Sequence, residues 1–194
     1  MNKQSQMAVL FSLVGILLTG CSEPEAIDEF RDFSVNLVDQ DSTEVVFPND
    51  YEGDLLVMGF VYTNCPDICP LVTGNLKKIQ LEMDNPEDVT FIALSFDPQR
   101  DTPTVLRRYH EAFGLNDNFR MLTGDTTQVQ QLLDRVKVRT QVSMSQTTPD
   151  GREIYFLNHS DKIIVMDDEG RWIYEYGGSM TSPDIIIEDL NKIR

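Results

Sequence analysis

Two cysteines stand four positions apart in VYTNCPDICP, residues 61–70, and each is followed by a proline. Such a pair admits three chemistries: a redox disulfide, a two-sulfur clamp on a metal, or a structural staple. The staple is the weakest, because cross-link stabilisation grows with the length of the closed loop and this loop is very short. The common redox spacing is C-x-x-C. Here Pro66-Asp67-Ile68 makes it C-x₃-C. The extra residue widens the loop, and two sulfurs facing one point at roughly 2.3 Å each suit a metal. A small movement still closes a disulfide, so spacing alone leaves both chemistries open.

The elements around the pair decide what it faces. Leu55–Tyr62 (LLVMGFVY) is a continuous apolar run, the pattern of a strand covered on both faces. Pro70 suits the first position of a helix, with Cys69 flanking it, and Val72, Leu76, Ile79 and Met83 recur at helical spacing up to Asn85-Pro86. Both cysteines precede proline and are therefore placed on a loop leading into the helix. Val89–Phe96 is a second buried strand, so strand, helix and strand form a βαβ unit with parallel strands. Thr102-Pro103 opens a helix to Phe113, and Gly114 ends it. Phe119–Leu122 reads as a short strand, and Asp125 caps a helix Thr126–Val136. Gln141–Gly151 is polar and reads as a loop; Lys162–Met166 and Trp172–Tyr176 flank a turn, giving a C-terminal hairpin; Ser182-Pro183 opens a last helix to about Ile193. Upstream, Phe33–Val38 and Glu44–Phe47 suggest an N-terminal hairpin, and Ser22–Asp32 is an acidic tether. The order is α/β: a thioredoxin-like fold with an N-terminal β-hairpin and an inserted segment before the C-terminal hairpin.

In that plan the cysteines sit at a helix N-terminus, whose free N–H groups and dipole favour thiolates, so both are expected to have lowered pKa values. Thioredoxin-like redox proteins place a cis-proline opposite the cysteines. No proline occurs between Gly151 and Met166, and the facing loop carries Asn158-His159-Ser160 instead. A lone loop histidine is ordinarily a surface group; the topology brings this one beside Cys65 and Cys69. Two thiolates and an imidazole make a soft site suited to copper, with zinc left open by chemistry alone. Three protein ligands leave the metal reachable for transfer. His110, among charged neighbours on its helix, reads as solvated.

The 194 residues suit one domain of ordinary composition, but 32 acids against 16 bases give a net charge of −16. That excludes a nucleic-acid partner and a polybasic membrane clamp. The first twenty residues stand apart: a polar start with Lys3, the apolar run Met7–Leu18, then Leu18-Thr19-Gly20-Cys21. The run is too short to span a bilayer and reads as a secretory signal. Its ending resembles the bacterial lipoprotein signal, which implies lipidation of Cys21. Residues 1–20 are then a signal peptide, 21–32 the lipidated cysteine and tether, and 33–194 the domain. This leaves Cys65 and Cys69 as the only pair, outside the cytoplasm, where disulfides are permitted.

CPDICP after an apolar strand, SFDPQRDTP after the next, and the histidine of NHSDKIIVMDDEG resemble the Sco/SenC proteins from about Phe33 to Arg194. These are membrane-anchored, thioredoxin-like copper chaperones that assist assembly of the CuA centre of cytochrome c oxidase. The resemblance implies that Cys65, Cys69 and His159 are ligands for copper(I) or copper(II). It implies a copper donor protein and, as acceptor, oxidase subunit II or another copper-acceptor protein. It also implies a lipid-anchored place in a bacterial periplasm or on the outer face of the cytoplasmic membrane. A thiol–disulfide reductase that keeps the acceptor cysteines reduced is the second expectation, and a peroxide-reducing enzyme of the same fold class the third. Some members have Asp before the histidine; here it is Asn158, which hydrogen-bonds without adding charge. Asp97, Arg100 and Asp101 read first as a turn and charges before a helix and second as a docking surface for a partner, and Asp67 as a group that repels competing anions or contacts a partner. Lipidation is checked by labelling cells with a radioactive fatty acid: incorporation is expected, and its survival in Cys21→Ser excludes this site.

Overall fold

The computed structural model describes residues 24–83, 86–151 and 153–194. The expected signal peptide and Cys21 lie outside the described residues. Among these, no helix is long and apolar enough to cross a membrane.

The sheet is built outward from two parallel strands, β4 (Leu55–Val61) and β5 (Val89–Ser95), with every residue of both buried. They are covered on both faces, which is why they read as unbroken apolar runs. Helix α1 (Ile68–Glu82) makes the crossover between them. The hairpin β9 (Ile163–Met166) and β10 (Arg171–Tyr176) joins antiparallel on the far side of β4, and α4 (Pro183–Ile193) follows it and packs on α1. The spatial order β10-β9-β4-β5, with β9 antiparallel to β4, is the thioredoxin-like arrangement. Beyond β5 the sheet continues through β6 (Phe119–Gly124) to the N-terminal hairpin β2 (Val35–Asp39) and β3 (Glu44–Phe47). Helix α2 (Pro103–Phe113) packs on β6, and α3 (Thr126–Arg135) on β2 and β6. Thr73, Lys77 and Gln80 of α1 hydrogen-bond Tyr109, Phe113 and Asn116, so α1 is gripped along its length by α2 and the turn after it.

Two expectations change. The acidic tether is ordered at its end: Asp28–Glu29 forms strand β1 on the edge of β10, and Phe30 is buried against Phe33 and Phe47. Arg135 holds this end, donating to Asp28 and to the Glu29 carbonyl while its guanidinium lies 5.3 Å from the Phe30 ring. Ala26, Ile27 and Phe30 in an acidic stretch carry too little pattern to announce a two-residue strand. The expected loop Gln141–Gly151 is mostly strand β7 (Thr140–Thr147), paired with β8 (Glu153–His159) in a ribbon separate from the main sheet. Almost all of β7 is exposed. A strand that buries neither face needs no apolar alternation, so periodicity cannot reveal it.

Helix α1 lies close to β4 at Gly59: a Cβ there falls 2.9 Å from both Val72 Cγ1 and Leu76 Cδ1, so these side chains must shift to admit one. Gly59→Ala is expected to lower stability by about 1–3 kcal/mol, the range for overpacking. Urea unfolding checks it; an unchanged midpoint excludes the close approach.

Candidate metal centre

The end of β4 delivers the first two donors. After Val61 the chain turns through Tyr62 and Thr63, and the Cys65 N–H closes the turn on the Tyr62 carbonyl at 3.2 Å. Helix α1 begins at Ile68, so Cys69 is inside its first turn rather than on the preceding loop, and Pro70 is the third helical residue. Proline is tolerated there because the first N–H groups of a helix have no helical acceptor. Cys69 is fully buried and Cys65 half-buried; both are free thiols. The Cys69 sulfur accepts the Tyr62 N–H at 3.4 Å, and the Cys69 N–H donates to the Cys65 sulfur at 3.4 Å. The helix terminus thus solvates one sulfur through the other residue's backbone. The expected lowering fails for Cys69: burial pushes its thiol well up, the Tyr62 N–H opposes this, and the neighbouring Cys65 adds to it. Desolvation outweighs the helix terminus because the charged form is the one that burial penalises.

The third donor comes from β8. Side chains alternate along a strand, and the half-buried Tyr155, Leu157 and His159 face inward while Ile154, Phe156 and Asn158 are exposed. His159 is therefore the last residue of a strand, not a loop residue. Its Nε2 lies 3.6 Å from the Cys69 sulfur. Its Nδ1 lies 2.9 Å from the Ser160 carbonyl, which only accepts, so Nδ1 carries the proton and Nε2 offers a lone pair. The ring is walled by Phe96 at 4.6 Å and Tyr62 at 6.2 Å between centroids. The Cys65 and Cys69 sulfurs and one imidazole nitrogen all lie within 4.8 Å of one another. Two donors on one ion, sulfur at about 2.3 Å and nitrogen at about 2.0 Å, stand about 3.5 Å apart at the tetrahedral angle. The Cys69–His159 pair stands close to that separation, and Cys65 Sγ lies within 4.8 Å of both, so the three groups can converge on one ion. Asn158 faces away from the donors and takes no part in this cluster.

Residues 22–194 match the sequence pattern of SCO1/SenC proteins. The chain belongs to the SCO1/SenC family. A SCO2-like protein of Rickettsia typhi is 29% identical over 151 residues, which are 77% of this chain and 71% of that protein. The copper-bound structure of ScoI from Bradyrhizobium japonicum superposes with a TM-score of 0.66 at 25% identity, covering 83% of this chain and 98% of that one. A SCO1/SenC family lipoprotein from Bacillus anthracis gives a TM-score of 0.66 at 25% identity, covering 82% and 92%.

In this SCO1/SenC chain the DPQRDT segment does more than make a turn. Asp101 is fully buried and accepts from the Thr63 N–H at 3.0 Å, the Thr63 hydroxyl at 2.6 Å and the Ser95 hydroxyl at 2.6 Å. It holds the chain just before Cys65. Burial raises its pKa, against the hydrogen bonds from Ser95 and Thr63. Asp97, also buried, binds the Arg100 guanidinium and accepts from the Tyr155 hydroxyl at 2.7 Å. Asp67 is exposed at the start of α1 and its side chain makes no cap hydrogen bond. His110 is half-buried rather than solvated: its Nε2 is within 3.2 Å of the carbonyls of Asn116 and Phe119. Sequence reasoning missed Tyr62, Phe96, Tyr155 and the Ser160 carbonyl. Only the strand alternation of β8, fixed from His159, could have pointed to Tyr155.

In the metal-free native protein, iodoacetamide is expected to modify Cys65 well before Cys69. Peptide mass spectrometry after timed quenching reads this, and equal rates contradict the burial of Cys69.

Proposed function

We propose that the protein is an extracytoplasmic copper metallochaperone. It carries one copper ion on Cys65, Cys69 and His159 and hands it to the CuA centre of cytochrome c oxidase. The observation that carries this reading is the convergence of two sulfurs and a lone-pair-bearing Nε2 in a member of a family whose Bradyrhizobium japonicum relative has been solved with copper bound. Thiolates and imidazole are donors that suit copper, and the copper-bound relative favours it over zinc. Copper is cargo: three protein donors leave room for a ligand of the acceptor, and the ion moves by exchanging one donor at a time. Ligation requires loss of the thiol protons, and the attraction of the cation for the thiolates offsets the burial that raises the Cys69 pKa.

Location supports the same reading. The Bacillus anthracis relative is a lipoprotein by description. Strand β1 meets β10 at Trp172, Trp172 is level with Met166, and Met166 is level with Leu56, whereas the cysteines follow Val61. The N-terminal side of the domain thus joins the sheet at the end remote from the donors. The intervening rise along β4 is on the order of 16 Å at about 3.3 Å per residue. A lipid on Cys21 then leaves the metal site facing away from the bilayer, toward a partner's extramembrane domain or a copper donor protein.

A second reading, thiol–disulfide reductase of an acceptor's cysteines, is favoured by the half-buried Cys65 standing in front of the buried Cys69. That is the order in which one thiolate attacks and the other resolves. Anaerobic copper titration is expected to give one ion per chain, lost in Cys65→Ala, Cys69→Ala and His159→Ala. Full stoichiometry and affinity in all three variants refutes the copper reading. Oxidase assembly supported by His159→Ala as well as by the native chain selects the reductase.

A further inference from the structure

The cysteines belong to the core, but His159 does not. Among the described residues it ends a strand whose ladder partner is β7 alone, in a ribbon outside the main sheet. After His159 the chain reaches β9 at Ile163, with the Ser160 N–H on the Arg139 carbonyl at 3.0 Å and Asp161 accepting from the Ser179 N–H at 3.0 Å; before it, β8 is held to the core by side-chain contacts. Two hydrogen bonds tie the β8 backbone there: Arg100 Nη1 donates to the Tyr155 carbonyl at 2.9 Å, and the Leu157 N–H donates to the Tyr62 hydroxyl at 3.3 Å. Arg100 does more. Its guanidinium centre lies 3.5 Å from the Tyr155 ring centroid and 5.6 Å from that of Tyr62. Its Nε binds Asp97, whose other oxygen receives the Tyr155 hydroxyl at 2.7 Å. Tyr155 is thus fastened at its carbonyl, its ring face and its hydroxyl by one arginine–aspartate pair. It lies four residues before His159, on the same inward face of β8. The same short segment holds the cysteine side through Asp101 and Thr63.

We propose that Arg100 is a positioning residue for the metal centre: by clamping Tyr155 it fixes the strand that presents His159 to Cys65 and Cys69. It touches none of the donors: its contacts are with β8, with Asp97 and with the ring of Tyr62, which itself packs beside the imidazole. The planar guanidinium is required because one group must donate to a carbonyl, bind a carboxylate and stack on a ring at once, which an ammonium cannot do. This inference rests on the copper-site reading, and its test separates the two.

Copper(II) affinity, by competition with a chelator, and the thiolate-to-copper(II) charge-transfer band are compared in the native chain, Arg100→Ala, Arg100→Lys, His159→Ala and the double variant Arg100→Ala/His159→Ala. Arg100→Ala is expected to lose about tenfold or more in affinity, the usual effect of removing a group that orients a ligand, with one ion still bound and the band moved toward that of His159→Ala. Arg100→Lys recovers part of the loss. The double variant is expected to be no weaker than His159→Ala alone, because the arginine acts only through the histidine. In the metal-free chain, amide exchange at Leu157 is expected to quicken in Arg100→Ala while exchange across β4 and β5 stays as in the native protein. Native affinity and spectrum in Arg100→Ala, or losses that add in the double variant, overturn the proposal. If His159→Ala binds copper as the native chain does, the copper reading falls, and unchanged Leu157 exchange in Arg100→Ala then overturns the clamp independently. Should Arg100→Ala not fold, Tyr155→Phe removes only the hydroxyl bond to Asp97 and is expected to give a smaller loss in the same direction.

Discussion

The burial of the Cys69 sulfur is the constraint from which the site follows. It lies between the last residues of β4 and the first turn of α1, accepts the Tyr62 N–H, and has no exposed surface. Because β4 and α1 are locked together at Gly59, this sulfur cannot move without shifting a core helix. A donor set built around it has to be completed by groups that travel to it. Cys65 does so on a short turn, held by its own contact with the Cys69 N–H and by Thr63 on Asp101. His159 does so from a ribbon that the sheet does not contain.

This division explains what was legible in the sequence. The βαβ unit, the C-terminal hairpin and three of the helix starts were readable because each buries an apolar face or carries a proline at its opening, and those leave periodic or local marks. The cysteine spacing and the lone histidine named the three side chains that the fold brings within 4.8 Å of one another. What stayed hidden depends on relations that leave no such marks. The ribbon is exposed on β7, so its residues carry no alternation. Cys69 looked like a thiol at a favourable helix terminus, yet whether burial or the terminus dominates depends on how deep the helix start lies, and sequence does not give depth. Asp97, Arg100 and Asp101 looked like turn chemistry because their partners, Tyr155 and Thr63, lie 58, 55 and 38 positions away.

Charge balance at the buried sulfur ties the fold to the chemistry. Without a metal, burial holds the Cys69 thiol protonated, which keeps an uncompensated anion out of the interior, where it is costly. Asp101, fully buried, adds to this pressure, since its charge also raises the Cys69 pKa. A cation removes the penalty. Two thiolates, a neutral imidazole and a divalent ion sum to zero; with a monovalent ion they sum to −1. The neutral assembly is the one a desolvated pocket walled by Phe96 and Tyr62 accommodates at least cost. Loading is then coupled to loss of the thiol protons, and unloading to their return. A site of this kind holds its ion by cancelling a charge that the fold will not tolerate alone. Under the proposed carrier function, release needs a partner whose donors cancel that charge equally well, and the protons that come back leave the pocket neutral again.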